Sequence, residues 1–180
     1  MSVFLLGFMG CGKSAVARHL ARGLRLPLID LDSHIEAEIG VSIADFFASR
    51  GEEAFRAVET RVLQSVCRKK AVVSLGGGVP TREINRHILQ NAAGKGALVT
   101  YLQTSPAILA ARIRRAPGKR PLIDGDGELD FEATLRRVRE LMEAREGWYL
   151  ECANLVVETD ELSIADVARE IEIAWHERRA

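Results

Sequence analysis

No charge of one sign dominates this chain. Its 180 residues hold 25 Lys+Arg against 25 Asp+Glu, a formal net charge of zero. That removes any bulk electrostatic drive toward nucleic acid or a membrane surface. No apolar run approaches the roughly 20 residues needed to cross a bilayer. The N-terminus has no basic stretch followed by a cleavage site. A cytoplasmic protein is expected, with neither nucleic acid nor membrane as a partner. Cysteine is scarce too. Cys11, Cys67 and Cys152 are the three in the chain, and no C-x-x-C or zinc spacing links them. Neither a disulfide framework nor a zinc site is expected. What remains is ordinary in amount: 47% hydrophobic and 28% charged residues. That is enough for one domain over 1–180 with a buried core. Arg outnumbers Lys, and the guanidinium suits bidentate contact with phosphate and carboxylate.

The most informative stretch is Gly7-Phe8-Met9-Gly10-Cys11-Gly12-Lys13-Ser14. It reads G-x-x-x-x-G-K-[ST], the phosphate-binding loop of nucleoside-triphosphate enzymes. Val3-Phe4-Leu5-Leu6 before it suits a buried strand, and the residues after Lys13 form helix readily. Strand, glycine loop and helix together give the pattern its mechanism. Gly10 and Gly12 let backbone N–H groups converge on phosphate oxygens. The helix N-terminus adds partial positive charge. Lys13 can reach the β- and γ-phosphates, and the Ser14 hydroxyl can ligate Mg²⁺.

Further along, apolar runs at 3–6, 27–30, 71–75, 97–102 and 155–158 are expected as strands. Helices are expected over 13–23, 32–39, 43–49, 52–69, 81–91, 106–115, 131–151 and 163–178. This alternation predicts an α/β fold, a parallel sheet with helices on both faces. Residues 116–127, Ala-Pro-Gly-Lys-Arg-Pro-Leu-Ile-Asp-Gly-Asp-Gly, break the pattern. Such a loop between helices is expected to be a mobile lid, unless it is only a surface excursion.

Parallel sheets bind ligands beyond the carboxyl ends of their strands. The second strand ends in Asp30-Leu31-Asp32. In extended backbone these carboxylates point the same way. One can hold Mg²⁺ while the other orients a phosphoryl acceptor and takes its proton. Alternatively, Asp32 only caps the following helix. The third strand ends in Gly76-Gly77-Gly78, suited to close approach of backbone to a ligand. Arg56 and Glu59 lie three apart on one helical face. They form either a surface pair or a pocket arginine held by a carboxylate. Arg145 is equally ambiguous. Arg120, in the expected lid, is placed to stabilise charge on a transferring phosphoryl.

Taken together, these segments resemble the shikimate kinase family. The likeness is carried by 7–14, Asp30-Leu31-Asp32, Ser42-Ile43-Ala44-Asp45-Phe46-Phe47, residues 51–59, Leu75-Gly76-Gly77-Gly78, Tyr101-Leu102 with Ser105-Pro106, Arg120-Pro121-Leu122, and Arg145 with Tyr149. The joint order of D-x-D, F-R-x-x-E, G-G-G and R-P-L is far more specific than the loop alone. The resemblance implies a three-layer P-loop kinase fold, like that of nucleoside-monophosphate kinases, with five parallel strands. It implies transfer of the γ-phosphoryl of ATP to the 3-hydroxyl of shikimate, giving shikimate 3-phosphate for chorismate and aromatic amino-acid synthesis. Mg²⁺ would be the cofactor, ATP and shikimate the partners, and the chain a monomer.

Residue by residue, the resemblance gives nucleotide contacts to Gly10, Cys11, Gly12, Lys13, Ser14, Ala15 and Arg120. It gives the metal to Ser14 and Asp30, and catalysis to Lys13, Asp32 and Arg120. Shikimate falls to Asp32, Arg56, Gly77 and Arg145, with 32–61 as the substrate-binding region. Two positions depart from the family pattern. Ala15 stands where many relatives carry threonine, so a hydroxyl contact to the nucleotide is missing. Glu158-Thr159-Asp160-Glu161 stands where some relatives place arginine or proline beside adenine. A kinase for another hydroxylated acid, such as gluconate, fits the same side-chain chemistry. A nucleotide-binding regulatory module fits less well, because Lys13, Asp30, Asp32 and Arg120 are all present.

Overall fold

The structure is a computed structural model, and it describes residues 1–115 and 130–178. Five strands, β1 (Val3–Leu6), β2 (Leu28–Asp30), β3 (Val72–Ser74), β4 (Leu98–Gln103) and β5 (Leu155–Glu158), form one sheet in the order β2-β3-β1-β4-β5. Every pairing is parallel. Helices cover both faces, as the crossovers of a parallel sheet require. They are α1 (Lys13–Gly23), α2 (Leu31–Ile39), α3 (Ile43–Val66), α4 (Glu83–Gly94), α5 (Pro106–Arg115), α6 (Phe131–Glu143), α7 (Glu146–Cys152) and α8 (Ile164–Glu177).

The central strand shows why three layers form. Val3 and Leu5 of β1 enter a core shared with α1, α5, α6 and α8. Phe4 and Leu6 enter the opposite core, shared with α2, α3, α4 and α7. All four are 0 % exposed, the pattern of a strand buried on both faces. Burying a side chain of this size contributes about 1.5–3 kcal/mol each. The strands all end on the same side, and the chain leaves β1 toward opposite flanks for β2 and, after β3, for β4. A crevice opens at such a reversal.

The expected break between helices 43–49 and 52–69 falls inside α3 as a kink at Gly51, with φ 79° and ψ 171°. Only glycine adopts that backbone cheaply. The expected helix 131–151 breaks between α6 and α7, and Arg145 stands at the break with φ −121° and ψ −24°. Residues 81–82 precede α4, Thr81 closing a 3₁₀ turn that begins at Val79. The expected lid, 116–127, lies outside the described residues, and Arg120 with it. Among the described residues, no helix is long and apolar enough to cross a membrane.

Candidate active site

The glycine loop joins β1 to α1, and Gly12 caps α1 in the left-handed region at φ 98°. Lys13 folds back over the loop. Its Nζ donates to the carbonyl oxygens of Gly7 at 2.7 Å and Phe8 at 2.9 Å, with Cys11 Sγ at 3.6 Å. The ammonium is thus held over the loop by backbone, with Ser14 exposed beside it. Lys13, Ser14, Ala15, Asp30, Asp32 and Gly77 all line one cavity of about 490 Å³.

The two aspartates reach that cavity differently from the extended reading. β2 stops at Asp30, and Leu31 already begins α2. Asp30, not Asp32, is the cap: its Oδ1 accepts from the Ser33 N–H at 3.2 Å. Asp32 sits in the first helical turn, freed from capping. One side of it is open to solvent, while protein encloses the rest. Burial, then the neighbouring Asp30, pushes its carboxyl above the ordinary aspartate value of 3.8, and Lys13 opposes the rise. Arg56 acts in the same sense as Lys13, more weakly. Asp32 therefore lies within electrostatic reach of both the phosphate loop and Arg56.

Burial resolves the ambiguity of the arginine on α3. Glu59 is 2 % exposed, and Arg56 Nη1 contacts both its oxygens at 3.0 Å. A buried carboxylate needs such a partner. Burial raises the Glu59 pKa above its ordinary value, and Arg56 works against that rise. The far edge of the guanidinium, Nε and Nη2, meets Glu52 Oε1 at 3.3 Å. The fork is clamped against Gly78.

Side chains are excluded from the glycine turn for a visible reason. A methyl group on Gly76 would come 2.7 Å from Asp32 Oδ1, and one on Gly78 2.7 Å from Arg56 Nη1. Gly78→Ala is expected to push the guanidinium aside while the fold survives, since the crowded atoms end a flexible side chain. Steady-state kinetics should show the acceptor KM raised several-fold and the ATP KM unchanged.

Gly77 turns its carbonyl to the Tyr149 hydroxyl, which donates at 2.7 Å. Arg145 lies with Cζ 6.0 Å from the Phe8 ring centre, and its charge acts on the Tyr149 phenol. A second cavity, about 270 Å³, adjoins the first through Gly10, Gly12 and Arg112. Cys11 lines it, with Thr159, Leu162 and Ile164 among its walls. Arg112 escaped the sequence reading; its Nη1 lies 3.5 Å from the carbonyls of Gly10 and Cys11. The arginine-rich end of α5 was a signal, but only folding sets it over the loop.

A phosphate cradle, a carboxylate beside it and a clamped arginine at one end of a parallel sheet define a P-loop phosphotransferase for a small acceptor. The family model described as Shikimate kinase matches residues 9–175. The chain belongs to the shikimate kinase family. It is 41% identical over 180 residues to a shikimate kinase of Thermus thermophilus, covering 99% of this chain and 92% of that one. The shikimate kinase of Enterococcus faecalis is 35% identical, with 94% and 95% covered. Among solved structures, shikimate kinase from Acinetobacter baumannii in complex with shikimate superposes with a TM-score of 0.86 at 32% identity, covering 99% of this chain and 94% of that one. A gluconokinase from Sinorhizobium meliloti has a TM-score of 0.61 at 17% identity, with 98% and 91% covered, a likeness of fold alone.

Proposed function

We propose that the protein transfers the γ-phosphoryl group of ATP to the 3-hydroxyl of shikimate. The observation that carries this is the position of Asp32, which lines the phosphate-loop cavity with Lys13 and Ser14 and lies against Gly76, two residues from the Gly78 that Arg56 abuts. An acceptor whose carboxylate pairs with Arg56 and Arg145 has its hydroxyls toward Asp32. There Asp32 orients one hydroxyl and receives its proton, while Lys13 meets the charge on the transferring group. Cys11, with Gly10 and Gly12, faces the cavity that suits the base, whose apolar walls include Leu162 and Ile164. Arg120, outside the described residues, keeps the phosphate-stabilising role that the resemblance gives it, and 116–127 that of a lid. The segment 32–61 contributes Asp32 and Arg56 as the substrate-binding region.

Mg²⁺ fits the residues present. Ser14 offers an exposed hydroxyl, and Asp30 spends one lone pair on its cap, keeping others free. Among the described residues no group of three or more His, Cys, Asp or Glu forms a metal cage. Few protein oxygens suit an ion that keeps waters and phosphate oxygens as ligands. When bound by Ser14 and Asp30, it would neutralise charge on the phosphates.

Arg56→Lys keeps the charge but loses the fork that spans Glu52 and Glu59. The shikimate KM is expected to rise about tenfold, the worth of a charged hydrogen bond, while ATP affinity measured by calorimetry stays unchanged. The function itself is tested by steady-state turnover with Mg²⁺, ATP and either shikimate or gluconate. Turnover on shikimate at least about 100-fold more efficient than on gluconate is expected, since a site built for one set of hydroxyls leaves its polar groups unpaired by another. Preference for gluconate, or no turnover on either, contradicts the proposal.

A further inference from the structure

Tyr149 is 1 % exposed, and a phenol goes into a core at a cost unless its hydroxyl is paired. The hydroxyl donates to the Gly77 carbonyl at 2.7 Å, and the Arg145 charge acts on the same phenol from the start of the helix that carries it.

The ring carrying this hydroxyl is held from behind. It stacks on Tyr101 with centroids 5.2 Å apart and planes 23° from parallel. Tyr101 is fully buried and places its hydroxyl 3.3 Å from Glu146 Oε1, which Gln103 Nε2 also meets at 2.9 Å. Glu146 and Tyr149 stand three apart on α7, so they share a face. The first anchors the helix to β4, and the second reaches the turn after β3. That turn is three glycines, with no side chain of its own to restrain it. Its central peptide plane is planar, so fixing the Gly77 carbonyl also fixes the Gly78 N–H, which points the opposite way.

Resting on the reading of Arg145 and Gly77 as acceptor contacts, we propose that Tyr149 is a positioning residue of the acceptor site. Its hydroxyl holds the Gly77 carbonyl, and with it the glycine turn, against the helix that Arg145 caps. It touches no substrate in this scheme, and acts only through that turn. The bond ties α7 to a turn 72 residues away in sequence.

The test is steady-state kinetics on Tyr149→Phe, Tyr101→Phe and Arg145→Met. Phenylalanine keeps the ring, the stack and the volume of Tyr149. The shikimate KM of Tyr149→Phe is expected to rise about five- to tenfold, the scale of one hydrogen bond. Its kcat and ATP KM should stay within about twofold of the parent. Tyr101→Phe removes a hydroxyl from the same stack without touching Gly77, and should leave all three constants unchanged. An equal KM rise in both tyrosine variants overturns the positioning role. So does an unchanged KM in Tyr149→Phe when Arg145→Met raises it. An unchanged KM in Arg145→Met instead overturns the acceptor-site reading beneath it.

Discussion

Lys13→Met is expected to lower kcat by on the order of 10²-fold or more, the scale of losing one preorganised charge at a transferring group. Methionine keeps most of the stem and removes the ammonium. In the structure that ammonium is engaged by the Gly7 and Phe8 carbonyls. Those two oxygens hold it at the mouth of the cavity before any nucleotide arrives, so the charge needs no large search to meet a phosphate. The substitution also leaves those carbonyls without their donor. A modest fall in melting temperature should accompany the loss of rate, and circular dichroism measures it. Rapid-quench turnover with saturating shikimate separates the two effects. A folded variant with near-normal turnover would contradict the role given to the loop.

The second large effect concerns Asp32. Asp32→Asn keeps the size and much of the hydrogen bonding, but removes the negative charge and the proton acceptor. A fall in kcat of at least about 10²-fold is expected if the carboxylate takes the proton of the acceptor hydroxyl. Shikimate should still bind. A small fall, with Asp32→Ala much worse, would leave positioning as its whole contribution, as a loose transition state allows.

The same substitution should act oppositely on stability. The folded state raises the Asp32 pKa, so the folded chain holds this proton more tightly than the unfolded chain. Ionised Asp32 therefore opposes folding at neutral pH. That opposition fades as pH falls through the raised value toward the ordinary 3.8. Asp32→Asn is expected to melt higher than the parent at pH 7, by a margin that shrinks in acid. Thermal melts across that range check it. A higher melting temperature with lower activity would mark a strained functional carboxylate rather than a helix cap.

Much of this architecture was legible because the sequence and the packing ask for the same thing. β1, α1 and α5 begin and end where apolar periodicity and Gly7, Gly12 and Pro106 place them. The break at Gly51 was legible too, since a glycine stands between the helices expected on either side of it. The break at Arg145 was not, because helical periodicity runs on past it. Which aspartate caps α2 was equally hidden, since it depends on β2 ending one residue before the helix starts.

For the site, residue types were informative and their pairings were not. Arg56 and Glu59 read as surface pair or pocket pair until the burial of Glu59 decided it. Tyr149 and Arg112 owe their positions to contacts 72 and about a hundred residues away. Tyr149 belongs to the family pattern, but its bond to the glycine turn has no signature along the chain, and neither has the place of Arg112 over the loop. Ala15, by contrast, was readable as a lost hydroxyl directly, and it lines the phosphate cavity.

The most direct test is the identity of the product. Phosphorus NMR of a completed reaction with Mg²⁺, ATP and shikimate should show a phosphomonoester whose phosphorus couples to the proton on C3 of the acceptor, formed in equal amount with ADP. ADP appearing without the ester, or a phosphorus coupled to another ring position, would contradict an acceptor held by Arg56 and Arg145 with its 3-hydroxyl against Asp32.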